Sequence, residues 1–398
     1  MKIVHFLIIS IVLLSVFSLN AADTILQSKN IPIDDLIVLG HQFPNMEYFN
    51  IAYSNIEMEK NISIENIIMK CMNDSDNQKL NQILHDYKML LDKNESFSSL
   101  NDSSINVDST HHYQQKIDAF ENHIFETAPK YTLFLLAQHP VNLREVQRAY
   151  LHDREALLNY WVDENHTFVF LVKQDTFHVI TCQIGRNELF EKTTKLMQPL
   201  YEIQNPLKLD FDVLLANELY RKLFLPIEPF IKDIKSIIII PDEVLVGFPF
   251  GCLVVDPATK KNKDEEEILY HEFEDMTFLI YEYALSYNFS SLALNPIFQE
   301  LRAKKKLGRK LLTMTNIVGM HSADTDSQLN WSYQSPPYGK DETEHISRIL
   351  WRHENISDKT ATLDYFKNNS NRFRWIYLAI PALLNNLNPE ESALLFSG

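Results

Sequence analysis

The stretch Ser236-Ile237-Ile238-Ile239-Ile240, followed at once by Pro241-Asp242, decides the fold class of this chain. Four consecutive isoleucines without a polar residue are typical of a strand that is buried on both faces of a parallel sheet. Pro241-Asp242 predicts the turn that ends the strand. A strand covered on both faces needs helices above and below it, so this stretch predicts an α/β chain.

Strand and helix patterns alternate on either side of this stretch. A strand–turn–strand pair is predicted around Gln174-Asp175, where two runs rich in Phe, Val and Ile are separated by polar residues. Strand, helix and strand at such intervals predict an α/β layered fold. The predicted strands are 168–172, 177–182, 236–240, 311–320 and 373–380, an extended stretch is predicted over 244–255, and the predicted helices are 143–160, 187–197, 211–231 and 341–352.

The region before this sheet is different in composition. Residues 23–92 show helical spacing of apolar residues, which is clearest between Leu80 and Leu91. Residues 93–112 are rich in Ser, Asn and Asp and read as a polar linker. We therefore predict a helical region at 23–112 that ends in a linker, followed by a second domain at 113–398.

The first residues predict an export signal. Lys2 precedes an apolar run at 6–17, and the small residues Ala21 and Ala22 follow it. A membrane-spanning helix needs about 20 apolar residues, and this run is shorter. We expect residues 1–22 to be a signal peptide and the protein to be secreted or periplasmic. The alternative is an uncleaved anchor, which would attach the protein to a membrane, because neither alanine gives a clean small-x-small cleavage site.

The composition excludes several classes of partner and cofactor. A net charge of −16 would repel nucleic acid and anionic membranes. The basic stretch at 302–310 is the local exception, and we interpret it as a solvated loop or helix end. The cysteines Cys71, Cys182 and Cys252 form no CxxC pair, so the sequence predicts no metal site and no cofactor.

Several segments, in this order along the chain, resemble the CHAT family of caspase-like peptidases. The segments at 155–162 and 218–226 are similar to the opening strands and to the start of the central signature of that family. The run 237–241 continues that signature with Leu245 and Pro249-Phe250. The remaining matches lie at 129–151, 281–294, 341–364 and 374–382, so the resemblance covers about 129–398.

The resemblance implies a caspase-like layered sheet with helices on both faces, which we expect to be incomplete at its carboxyl end. The family motif His-x-Ala-Thr-His-Gly, which carries the catalytic histidine, corresponds here to 377–382. Tyr377 and Pro381 stand at the two histidine positions, and Ala382 replaces the glycine. Proline cannot exchange a proton and has no backbone N–H. The nucleophilic cysteine of the family would follow this segment, and the sequence given stops before it.

Other residues offer no clear substitute. His345 and His353 belong to the predicted helix at 341–352 or to its end, and we interpret both as solvated side chains. His321 follows a predicted strand, where a site could lie. The neighbours of Cys252 are apolar and indicate burial. We therefore predict no catalytic residue.

The leading hypothesis is a catalytically inactive CHAT-like protein that acts by binding other proteins. One alternative is an active cysteine endopeptidase whose catalytic part lies beyond the given chain end. Another is an unrelated exported α/β binding protein.

Overall fold

The computed structural model describes residues 31–42, 46–98, 105–139, 141–202, 211–257, 276–304, 310–315, 339–349, 352–383 and 393–397. The predicted signal peptide at 1–22 and the candidate His321 lie outside these ranges. So do most residues of the basic stretch, whose side chains are described only at Lys310. Within the described ranges, no helix combines the length and apolar character that a membrane crossing requires.

Four helices open the described chain: α1 (Ile33–Gln42), α2 (Met46–Cys71), α3 (Asp74–Ser98) and α4 (Ile105–Thr127). The predicted linker at 93–112 is therefore largely helical, because α3 continues to Ser98 and α4 already begins at Ile105. Polar residues weaken a helix only slightly when its apolar stripe is buried against a neighbour. The buried stripe of α3 and α4 consists of Leu80, Ile83, Tyr87, Ile117, Ile124 and Phe125.

A short helix, α5 (Thr132–Leu136), and a helical turn, Leu143–Glu145 with Val146–Tyr150, lead into the first sheet. The helix predicted over 143–160 thus ends at Tyr150. Arg154 then adopts a left-handed backbone conformation with φ of 56°, which turns the chain into a strand. The sequence pattern does not separate this strand from a helix, because residues on both of its faces are apolar.

The first sheet is built from β1 (Glu155–Val162), β2 (Thr167–Val172), β3 (Phe177–Cys182), β4 (Ser236–Ile240) and β7 (Ala284–Tyr287), and a separate pair is formed by β5 (Val254–Asp256) and β6 (Thr277–Phe278). The order of its strands is β3-β2-β1-β4-β7. The strands β1, β2 and β3 are antiparallel, whereas β1, β4 and β7 are parallel. The predicted central strand is confirmed, since its four isoleucines are at most 5% exposed.

Helices cover both faces of this sheet, as predicted. Ile237 and Ile239 face α6 (Arg186–Glu202) and α7 (Val213–Leu223), whereas Ile238 and Ile240 face α1 and α2. Consecutive residues of a strand point to opposite faces, so β4 contributes to both cores. The helices α1 and α2 lie in the predicted region 23–112, yet they form one layer on a sheet that lies in the predicted region 113–398.

Two details of this part differ from the sequence predictions. The helix predicted over 211–231 ends at Leu223, and Pro226 and Pro229 lie in the turns that follow, because proline lacks the N–H that a helix interior needs. The extended stretch predicted over 244–255 contains 3₁₀ turns before β5 begins, and Gly247 takes a φ of 80° between them.

The chain continues through α8 (Leu279–Glu282) and α9 (Pro296–Lys304) into a second, parallel sheet. It consists of β8 (Leu311–Thr315), β9 (His353–Ser357) and β10 (Trp375–Ala379) in the order β10-β8-β9, with α10 (Gly339–Ile349) and α11 (Leu363–Asn369) beside it. Its core contains Leu312, Met314, Ala361 and Phe373, and these residues belong to none of the other clusters. The strands predicted at 311–320 and 373–380 are confirmed over their described parts.

Phe170→Ala should destabilise the protein strongly. Phe170 is fully buried between β2 and α2, where its ring packs edge-on against Tyr53 with 5.5 Å between centroids. Removing a buried phenyl ring costs about 3–5 kcal/mol because the cavity collapses only in part. Urea denaturation of purified protein measures this cost. Phe190→Ala, at a residue that is 46% exposed, is the matched control and should cost under about 1 kcal/mol. Equal losses for both variants would contradict the assigned α2 layer.

Candidate functional site

Tyr377, which the resemblance places at the first of two histidine positions, lies in the middle of β10 opposite Thr313 of β8. Burial and the nearby carboxylate of Glu342 on α10 raise the pKa of Tyr377 to about 12, so the phenol stays protonated at neutral pH. Tyr377 therefore offers no ionised group that could accept a proton.

The residues that follow β10 are fixed by backbone hydrogen bonds. Ile380 is buried, and the carbonyl oxygen of Pro381 accepts a hydrogen bond of 2.9 Å from the backbone N–H of Leu395. Ala382 opens the strand β11 (Ala382–Leu383), which pairs with β12 (Ala393–Leu394) in antiparallel orientation. Pro381, which the resemblance places at the catalytic histidine position, thus stands directly before this strand pair.

The last described residues anchor this strand pair. The backbone N–H of Ser397 donates to the carbonyl oxygen of Ala361 over 3.0 Å, and its hydroxyl group donates to the carbonyl oxygen of Asp358 over 2.5 Å. Phe396 packs on Phe366 of α11 with 5.2 Å between ring centroids. The segment 377–382 lies at the carboxyl end of β10, as predicted. Its residues 379–382 are Ala, Ile, Pro and Ala, and none of these side chains exchanges a proton.

The described candidate histidines do not lie at this strand end. His353 begins β9 and is level with Trp375 at the amino end of the sheet. Pro381 lies beyond the other end of β10, and the strand from Trp375 to Ala379 alone spans about 13 Å at ~3.3 Å per residue. His345 is exposed on α10, and its Nδ1 atom lies 2.7 Å from the carbonyl oxygen of Asp341. The interpretation of both as solvated side chains agrees with their exposure.

The described cysteine side chains belong to the core of the first sheet. Cys182 is buried, and burial raises the pKa of its thiol to about 12. Cys252 is partly buried against the same core, and burial raises its pKa to about 11. The thiolate is the nucleophilic form of cysteine, so both groups are protonated and unreactive at neutral pH.

A polar cluster that the sequence did not predict lies at the carboxyl ends of β1 and β4. Lys60 of α2 extends its ammonium group between these strands. Its Nζ atom donates to Asn159 Oδ1 over 2.8 Å, to the carbonyl oxygen of Tyr160 over 2.8 Å and to the carbonyl oxygen of Pro241 over 3.0 Å. An ammonium group has three N–H donors, and here each one has an acceptor.

Glu57, one helical turn before Lys60, completes the cluster. Its Oε1 atom accepts a hydrogen bond of 2.6 Å from the Asn159 side-chain amide, and its Oε2 atom accepts one of 2.8 Å from the backbone N–H of Ser291. Burial raises the pKa of Glu57, and nearby Lys60 opposes that change. Burial lowers the pKa of Lys60, whereas Asp242 and Glu57 favour its charged form. The two side chains are joined through Asn159, whose amide oxygen accepts from Lys60 and whose amide nitrogen donates to Glu57.

Beside this cluster, an acidic cavity of about 490 Å³ lies next to the end of β1. The indole N–H of Trp161 donates to Asp34 over 3.1 Å, and Asp242 accepts from the backbone N–H of Val162 over 2.8 Å. Arg186 lines the same cavity and donates to the carbonyl oxygen of Val162 over 3.1 Å. Within the described residues, no group of three or more His, Cys, Asp or Glu has an arrangement that could hold a metal ion.

Glu65, about two turns after Glu57 on α2, should make the free energy of unfolding depend on pH. Its Oε1 atom is buried without a hydrogen-bond partner in the described part of the chain, and burial raises its pKa from 4.5 to about 7. The folded state therefore favours the protonated carboxyl. Its stabilising contribution is complete below about pH 4.5 and is lost as the pH rises through about 7.

Glu65→Gln should remove this part of the pH dependence and raise the melting temperature at pH 8, because glutamine resembles the protonated acid. Thermal unfolding between pH 4 and 8 measures both effects. Glu126→Gln, at an exposed residue of α4, is the control. A melting temperature that falls equally with pH in wild type and Glu65→Gln would contradict the assignment.

Comparison with known proteins identifies the part of the chain that carries these strands. No curated protein matches the chain. The family model described as CHAT domain matches residues 213–398, a range that begins with α7 and includes β4, β7 and the second sheet. The resemblance that we drew over 129–212 lies outside this match and stays a prediction. Residues 213–398 of this chain are therefore a CHAT domain, a member of the caspase-like family.

Proposed function

We propose that this CHAT-domain protein is catalytically inactive and acts by binding other proteins. The observation that carries the proposal is Pro381, which stands at the end of β10 where the family has its catalytic histidine. A cysteine peptidase needs a group that accepts and returns a proton beside its nucleophile. Proline provides no such group, and its carbonyl oxygen is engaged by Leu395.

The surroundings of Pro381 support the same conclusion. Burial and the nearby carboxylate of Glu342 keep the phenol of Tyr377 protonated at neutral pH. His353 lies at the opposite end of the strands, and the described thiols lie in the core of the first sheet. No described group stands in for the histidine. The alternative of an unrelated α/β protein is set aside for residues 213–398 by the CHAT match.

The edge of β10 is the surface that we propose for binding. In the described part of the chain, β10 pairs with β8 along one side, and its other side has no strand beside it. Trp375 is 40% exposed and Ile376 is 42% exposed, on opposite faces of the strand. An open edge presents unpaired N–H and C=O groups, which can accept an additional strand. We propose an extended segment of another protein, with apolar side chains on both faces, as the partner.

We also propose that this binding takes place after export. The proposal rests on the basic start and short apolar run of residues 1–22. Mass spectrometry of the amino terminus tests export. It compares purified full-length precursor with protein from the native culture medium or periplasm. A mature chain that begins near residue 23 supports export, and an unprocessed amino terminus inside the cell contradicts it.

The native protein should show no peptidase-type reactivity. A peptide-based electrophile that reacts with cysteine peptidases should not label any one site specifically, because the described thiols are protonated. Specific labelling here means labelling that a competing peptide prevents. Intact-mass spectrometry before and after labelling measures this. Labelling at one cysteine that peptide substrates compete away would overturn the inactive assignment and favour an active endopeptidase.

Ile376→Lys should abolish partner binding without unfolding the domain, because a lysine on the open edge opposes the addition of an apolar strand. The measurement is recovery of cross-linked partners from the native source, followed by mass spectrometry. Ile349→Lys is the matched control, since Ile349 is 79% exposed at the end of α10 and belongs to no strand. If Ile376→Lys recovers the same partners as wild type, the edge of β10 is not the binding surface.

A further inference from the structure

The carboxyl ends of β4 and β7 and the adjoining part of β1 form a polar crevice, which we define by Asn159, the Tyr160 and Pro241 carbonyl oxygens, and the Ser290-Ser291 turn. Asn159 is paired with Ile240, the last residue of β4, and the turn follows β7 closely, whereas β1 continues beside β2 to Val162. In open α/β sheets, ligands bind in the crevice outside the carboxyl ends of the strands. In this chain the crevice is filled by helix α2.

The fit between α2 and the crevice is a matched pairing of donors and acceptors. Lys60 gives its three donors to three acceptors of the crevice, and Glu57 accepts from two of its donors. The two side chains are three residues apart, so they lie on one face of the helix. The ammonium group of Lys60 therefore meets hydrogen-bond acceptors of the crevice, and the carboxylate of Glu57 meets donors.

The pairing is less complete for the hydroxyl groups. The Ser290 hydroxyl is fully buried and has no hydrogen-bond partner among the described residues. The hydroxyl groups of Tyr53 and Ser291 are buried near each other but are not aligned as a hydrogen bond. Buried hydroxyl groups without partners weaken the contact, so α2 fills the crevice without satisfying all of its polar groups.

A buried charged group is a poor means of stabilising a fold, because apolar residues of similar volume are often at least as stabilising. Its better use is to select one arrangement among several, since a helix without both charges would leave buried groups unpaired. Neighbouring α1 residues and the other half of α2 already provide apolar contacts with the sheet, through Leu36, Ile37, Ala52 and Ile56.

We propose that the crevice is a helix-recognition site and that α2 occupies it from within the same chain. Lys60 is its main recognition residue and Glu57 is the second. A helix with the same Glu-x-x-Lys spacing reaches the crevice only after α2 has left it. The site is distinct from the edge of β10 and does not depend on the proposed function.

Thiol labelling of full-length Ser291→Cys reports whether the crevice is closed. The Ser291 hydroxyl has no aligned hydrogen-bond partner among the described residues, so a thiol replaces it with little change. We expect slow labelling in this background and labelling about tenfold faster when Lys60→Met is added, which corresponds to closure weakened by about 1.4 kcal/mol. Lys88→Met, at an exposed lysine of α3, should leave the rate unchanged. Peptide mapping separates the introduced thiol from the native cysteines.

A peptide with the sequence of residues 46–71 tests recognition directly. Added in excess to Ser291→Cys with Lys60→Met, the wild-type peptide should slow the labelling of the introduced thiol again, whereas a peptide with Lys60→Met should not. Circular dichroism checks that the protein stays folded. If Lys60→Met unfolds it, Glu57→Gln takes its place in both experiments, with a wild-type peptide against one that carries Glu57→Gln.

Two results would overturn the proposal. One is an equal labelling rate with and without the substitution in α2 in folded protein, which would mean that the charges do not hold the crevice closed. The other is equal protection by the wild-type and substituted peptides, which would mean that the crevice does not recognise the charged face of the helix.

Discussion

The contact of the Lys60 ammonium group with three acceptors is the interaction on which the first half of the structure depends. It joins α2 to β1 and β4 at the point where strands of a parallel sheet end with unpaired carbonyl groups. A charged group that loses its water must find partners within the protein. Because Lys60 is enclosed, the position of α2 along the sheet is determined by where these acceptors lie. The apolar contacts of the helix provide affinity but would tolerate small shifts.

The sheet and its layers could be predicted because their signals are local. Ile237 to Ile240 form an uninterrupted apolar run, which is typical of a strand buried on both faces of a parallel sheet. The polar stretch at 93–112 misled the prediction, since its described residues, 93–98 and 105–112, lie on α3 and α4, whose apolar stripes are buried. The apolar pattern predicted a helix over β1, although the family resemblance at 155–162 indicated a strand, because a strand with two buried faces has no alternation that would separate it from a helix.

The crevice could not be predicted, for a physical reason. Glu57 and Lys60 are three residues apart on a helix, and this spacing ordinarily indicates a solvated ion pair. Their burial depends on Asn159 and Ser291, which are 102 and 234 residues away from Glu57 in the chain. The strand that carries Tyr377 was predictable for the opposite reason, since its signal is local, and Pro381 comes directly after it. That these two residues stand at the histidine positions of the family stays a prediction. The surroundings of the two residues, Glu342 near Tyr377 and the strand pair that begins after Pro381, required coordinates.

The separation of 234 residues between Glu57 and Ser291 also has a consequence for how the chain folds during synthesis. Helix α2 leaves the ribosome first, but the groups that pair with its buried charges are made much later. Contacts between distant residues form slowly, because a long loop must close before they are gained. The apolar face of α2 is therefore uncovered until the sheet has formed, and during this interval the nascent chain is open to chaperones and to aggregation.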